Sequence, residues 1–307
     1  MANTELVAGQ DSFLLYGEEA SAGIEAGTIA TTFGLVKSFT PTLNNNVIKH
    51  RGFAGSVSGG RESAFQTSGV QQVSCSIELE PQNFHFLKYI LGAVSGTGTS
   101  GAPLVYVKGN SPTPITISSN LNNATTDRNE LLLGTYFNSI GIKSSVGEAL
   151  SCSLDLVSMK YNKSVVLESN VSLSTTAPYT FVGGSIEIPN ASALPNVIDS
   201  VDLTITGNAE IKPGIGTVQG QFGVVKGLDY QVKFTVAYVD DTVLDLIKAG
   251  VESATLGLRF TNGTNSIDFV FTGAFPSQYS GTNNLNETIM EEFTFDARSL
   301  TATEIDQ

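Results

Sequence analysis

One stretch of this chain changes its period in mid-course, and it does so twice. From Gly69 to Glu80, Val73, Cys75, Ile77 and Leu79 alternate with Ser74, Ser76, Glu78 and Glu80, the period of a half-buried strand. From Pro81 to Gly92 the period becomes helical, with Phe84, Leu87, Ile90 and Leu91 on one face. Pro81 suits a first helical turn and Gly92 a C-terminal stop. The same succession returns at Gly227–Gly250. There Val232, Phe234 and Val236 alternate with Lys233 and Thr235, Asp240 reads as a helix cap, and Val243, Leu244, Leu246 and Ile247 form the apolar stripe. A repeat at so long an offset indicates a duplicated domain, since solenoid repeats run to roughly 20–50 residues.

Composition supports two β-rich units. The chain has 307 residues, 41% of them hydrophobic and 15% charged, with 31 glycines. That length suffices for two cores, and the glycine, Ser, Thr and Asn content suits many short strands and turns. A net charge of −13 argues against a groove that grips phosphates. No charged-then-apolar leader and no run of about 18 apolar residues is present, so synthesis in the cytoplasm without membrane insertion is expected. Cys75 and Cys152 occupy apolar phases of alternating strands and read as small core residues. Asn-x-Ser/Thr triplets at Asn123 and Asn262 carry no weight in so Asn-rich a chain.

Residues 1–33 read as an arm with little core of its own, 34–165 as a first domain and 166–307 as a second, with the connector in Lys163–Thr176. Strands are expected at Leu35–Val47, Leu104–Val107, Ile115–Ile117, Glu130–Ile142 and Leu150–Met159. In the second half, Val201, Leu203 and Ile205 alternate, a hairpin turns on Asn262-Gly263, and Phe293 and Phe295 share one face of a last strand. Two glycine-rich loops stand in matching places. One runs from Lys49 and His50 through Arg51, Phe53 and Arg61 to Phe65. The other contains Lys212, Ile215 and Phe222. The first lacks Gly-Lys-Ser/Thr and a following helix, which disfavours phosphate binding and favours docking on an acidic neighbour.

No catalytic or metal constellation emerges. His50 and His85 have no zinc spacing, the cysteines are far apart, Asp240-Asp241 reads as a helix start, and Glu291-Glu292 as a solvated face. No cofactor is implied. The polar strand faces carry Glu78, Glu80, Asp155 and Asp296 among serines and threonines. Strands joined across subunits would present that face as an acidic bore in which DNA does not stick.

In its order of strand, long glycine-rich loop, strand Val73–Glu80, helix Asn83–Leu91 and closing strand Glu291–Arg298, the chain resembles the tail tube proteins of long-tailed bacterial and archaeal viruses. The resemblance implies a mainly β fold of two tandem sandwich or barrel domains, each with one short flanking helix. It implies rings stacked into a hollow tube for viral DNA, which passes without specific binding. It further implies ring-to-ring contacts by loops 48–67 and 211–226, and tail tip, tape-measure and neck proteins as partners. Two tube domains per chain suggest a trimer with pseudo-sixfold symmetry, with a hexamer as the alternative. The competing function is a carbohydrate-binding or adhesive β-sandwich, which a secretion signal and exposed aromatics would favour.

Overall fold

The computed structural model describes residues 12–50, 65–121, 127–164, 166–168, 175–187, 198–238, 241–250, 252–263, 265–282 and 288–306. The first half supplies β1 (Ser12–Glu18), β2 (Thr31–Thr32), β3 (Leu35–His50), β4 (Phe65–Glu80), β5 (Gly92–Ser95), β6 (Leu104–Lys108), β7 (Ile115–Leu121), β8 (Arg128–Ser145) and β9 (Ser151–Ser164). The second supplies β10 (Ser185–Glu187), β11 (Ile198–Thr206), β12 (Ala209–Pro213), β13 (Gly220–Val225), β14 (Asp229–Ala237), β15 (Ser253–Thr261), β16 (Ser266–Thr282) and β17 (Met290–Ile305). Helices α1 (Leu87–Leu91) and α2 (Thr242–Ala249) follow β4 and β14. The fold is mainly β, and its antiparallel sheets form a sandwich without closing into a barrel inside the chain.

The strand order repeats. In the first half β3, β4, β9, β8 and β7 are successive neighbours, and in the second β11, β14, β17, β16 and β15 are. Irregularities of register repeat with it. The β3·β4 ladder slips between Val36 and Ser38, and β11·β14 slips between Ile198 and Ser200. The β8·β9 ladder slips between Phe137 and Ser139, and β16·β17 between Pro276 and Gln278. Three residues before each of these last slips stands a left-handed glycine, Gly134 (φ 61°) and Gly273 (φ 67°). Bulges bend a strand and re-aim its side chains. At these places the two halves follow the same backbone plan.

The copies do not stand apart. Strand β8 pairs with β7 through its first half and with β11 through its second, from Ser139↔Thr206 to Ser145↔Ser200. A single sheet therefore runs through both repeats. A second link joins β17 to β6, with Ala302↔Tyr106 and Glu304↔Leu104 opposite. The core is continuous across the junction, from Cys75, Ile77, Leu154 and Ile140 to Leu203, Ile205, Val232, Phe234, Phe293 and Phe295. Cys75 and Cys152 are buried free thiols, and burial pushes the Cys75 thiol up to about 12 and Cys152 up further.

Several expectations need correction. Residues 12–33 are not a coreless arm: β1 pairs with β7, and Leu14, Leu15, Tyr16 and Phe33 are buried. Leu14, Leu15 and Tyr16 are apolar in succession because both faces of β1 are covered. The first helix begins only at Leu87; Phe84–Phe86 form a turn before it, so Pro81 is not its first residue. The N-cap of α2 is Asp241, whose side chain makes no capping bond, while Asp240 lies outside the described residues. Glu291 is not solvated. It is 4% exposed and accepts a hydrogen bond from the Tyr279 hydroxyl at 2.8 Å.

Candidate assembly surfaces and a polar wall

Eight strands lie side by side in the order β3, β4, β9, β8, β11, β14, β17, β16. Opposed residues in antiparallel ladders share a face. Thr40, Ser76, Asp155 and Ser139 are opposite in turn across the first repeat, as are Lys143, Asp202, Lys233 and Thr294 across the junction. The face they define is polar along its whole width, and the reverse of the same strands is the core.

Charge on this face is partly balanced. Lys143 meets Asp202 at 3.0 Å and Lys233 meets Glu292 at 2.8 Å. Asp155 and Asp296 are exposed, and among the described residues they accept hydrogen bonds from neutral groups, Ser139 Oγ at 3.1 Å and Gln231 Nε2 at 3.0 Å. Glu78 is exposed, and among the described residues it has no ion-pair partner. Glu80 differs: it sits at the strand end, half-buried, 2.5 Å from Lys37 Nζ. Among the described residues, three of the four acids singled out in the sequence thus stand without a charged partner on one surface, while Glu80 pairs with Lys37.

The loop candidates divide. Arg51, Phe53 and Arg61 lie outside the described residues. Lys49 is exposed on the outer part of β3 and stands opposite Gln66, and Phe65 begins β4 opposite His50. In the second repeat the corresponding segment is the separate hairpin β12–β13, with Lys212 opposite Phe222. Lys212 is not a free cation, because it and Lys226 both bind Glu210 and hold that carboxyl down at about 2. Phe222 is 67% exposed, and Ile215 at the tip is fully exposed.

The hairpin's base is anchored on the first repeat. Gly207 N donates to Asn138 O at 2.7 Å, and Gln71 N donates to Val218 O at 2.7 Å. Gly223 lies against the Tyr136 ring so closely that a Cβ there would overlap it. Periodicity could not reveal this anchoring, since it joins residues from different repeats.

One buried acid went unnoticed in the sequence, although Glu304 continues the buried phase of Leu300 and Ala302. It is 0% exposed and accepts hydrogen bonds from Phe84 N and the Tyr106 hydroxyl, each at 2.7 Å. Burial pushes its carboxyl up to about 7. His85 lies 3.1 Å from Asp306, and burial lowers its pKa. With both oxygens occupied and no exposed surface, Glu304 ties β17 to the first repeat and offers no route to a substrate. Among the described residues no group of acids, histidines and cysteines is arranged to hold a metal, and no helix is long and apolar enough to cross a membrane.

No curated protein matches the chain. Over residues 9–297 it matches the family described as phage tail tube protein, and with almost the whole chain spanned, the protein belongs to that structural family of the virus tail.

Proposed function

We propose that three chains close a ring of pseudo-sixfold symmetry, and that such rings stack into the hollow tail tube through which viral DNA leaves the particle. The observation that carries this reading is the repeated strand order, which gives each chain two equivalent wall segments already joined edge to edge. Geometry favours three chains. About two dozen strands, spaced about 4.8 Å apart and tilted about 40°, close a barrel roughly 50 Å across at the backbone. Lining side chains reduce this to a bore of roughly 35 Å, wider than a DNA duplex, whereas six chains would double the diameter.

In this arrangement the polar face lines the bore. Glu78, Asp155 and Asp296 give it negative charge, and serines and threonines fill most of the rest. Phosphates are repelled and no base edge is read, so DNA moves without being held. The loops at 48–67 and 211–226 make the ring-to-ring contacts, with Ile215 and Phe222 as apolar anchors on the second. The tail tip, tape-measure and neck proteins meet the tube at its ends and in its bore, and assembly takes place in the host cytoplasm.

Negative-stain electron microscopy of the purified chain, with native mass measurement of the smallest closed species, tests this. Rings or hollow filaments built from units of three times the 32.3 kDa chain mass are expected. Monomers at all concentrations and salts would overturn the reading.

A further inference from the structure

The junction inside the chain specifies the one between chains. Matched bulges and glycines align the repeats residue by residue: Ile205 of β11 corresponds to Leu43 of β3, and Ile140 of β8 to Tyr279 of β16. Inside the chain, β8 and β11 are partners. Their counterparts β16 and β3 have no such partner among the described strands. Beyond the part paired with β15, β16 has only β17 beside it, and β3 has only β4.

Burial follows the same division. Ile140 and Ile205 are 0% exposed at the internal junction, while Tyr279 and Leu43 are 36% and 44% exposed at the open edges. Tyr136, covered by Gly223 of the second repeat's hairpin, is buried; its counterpart Phe275 is 47% exposed. A pair of unpaired edges with exposed apolar residues is a template for strand addition.

We infer that β3 of one chain adds antiparallel to the outer half of β16 in a second copy, in the register copied from β8·β11. Thr40 then faces Thr282, Pro41 faces Gly281, Thr42 faces Ser280, Leu43 faces Tyr279 and Asn44 faces Gln278. The assignment is chemically consistent. Leu43 and Tyr279 meet on the core side, as Ile205 and Ile140 do. Thr40 and Thr282 replace the Asp202–Lys143 ion pair, so the joint between chains depends less on salt than the one within. The outer parts of β3 and β4, in the place of β12–β13, cover Phe275 of the second copy. This inference rests on the ring reading above and adds its register.

Cysteine pairs separate the two. Thr42 and Ser280 are both exposed and small, so replacing them leaves the fold intact, and directly opposed strand residues lie within disulfide reach. Assemblies of the T42C/S280C double variant, treated with a mild thiol oxidant, are expected to give a non-reducing gel ladder that ends at three chains. The T42C/Q278C variant, shifted by two residues on the same face, is expected to stay uncross-linked. Rings that form but link only through the shifted pair, or through neither, overturn this register while leaving the tube intact. Absence of rings for the unmodified chain overturns both.

Discussion

Helices α1 and α2 follow equivalent strands and end on equivalent left-handed glycines, Gly92 and Gly250, yet their surroundings differ. In α1, Leu87, Tyr89, Ile90 and Leu91 are buried. Strand β1 and the β5–β6 hairpin cover it: Tyr16 meets Tyr89 edge-on at 5.7 Å, and Gly109 N donates to Leu91 O. In α2, Leu244 and Ile247 are half-buried, while Asp245, Lys248 and Ala249 are exposed, and the helix lies over β16. The two halves therefore agree closely in their central strands and differ in what covers them.

This contrast has measurable consequences. The largest is expected from truncating the two helices at comparable positions. Ile90→Ala empties a site 2% exposed and should cost about 3 kcal/mol, against about 1 kcal/mol for Ile247→Ala at the half-covered site. Urea unfolding of both variants measures the difference, and equal losses would mean that the cover contributes nothing.

The next concerns the acid that fastens the cover. Glu304 is held up at about 7 in the fold, chiefly by burial, against about 4.3 in the unfolded chain. The native state therefore keeps a proton that the unfolded state has released. Its contribution is complete below about pH 4.3 and is lost as pH rises to about 7, a fall of a few kcal/mol at most. In Glu304→Gln this fall should be absent, as thermal melts between pH 4.5 and 8 would reveal. Among the described residues no such acid lies against α2, so the effect should trace to the first repeat.

The smallest effect sharpens the comparison at the helix ends. Both glycines have positive φ, 95° at Gly92 and 61° at Gly250. A Cβ at Gly250 meets nothing within 4 Å, so Gly250→Ala should cost about 1 kcal/mol for the left-handed backbone alone. At Gly92 a Cβ would press on Gly109 Cα at 3.3 Å, and Gly92→Ala should cost about 2 kcal/mol. Differential scanning calorimetry resolves the pair.

Much of the wall was legible because its strands have one wet and one dry face. Val73–Leu79 and Leu150–Leu156 declare their phase directly, and so do Val201–Ile205. The order of these strands was legible for the same reason. Elements covered on both sides were not. Leu14–Tyr16 show no alternation, and the brief α1 has too few turns to separate its start from the Phe84–Phe86 turn. Contacts between repeats were equally hidden, since nothing local to Glu304 announces Phe84 or Tyr106, and nothing local to Gly223 announces Tyr136. The acids illustrate both cases: Glu78, Asp155 and Asp296 stand where alternation puts them, while Glu80, at a strand end, finds Lys37.

The two thiols bear on how long such a protein lasts. A virus tail persists outside cells, where dissolved oxygen and peroxides attack sulfur. The species that reacts is the deprotonated one, and attack needs access. Cys75 and Cys152, 4% and 2% exposed and kept protonated by their apolar surroundings, offer neither. The wall thus carries its only cysteines in a form that ages slowly outside the host.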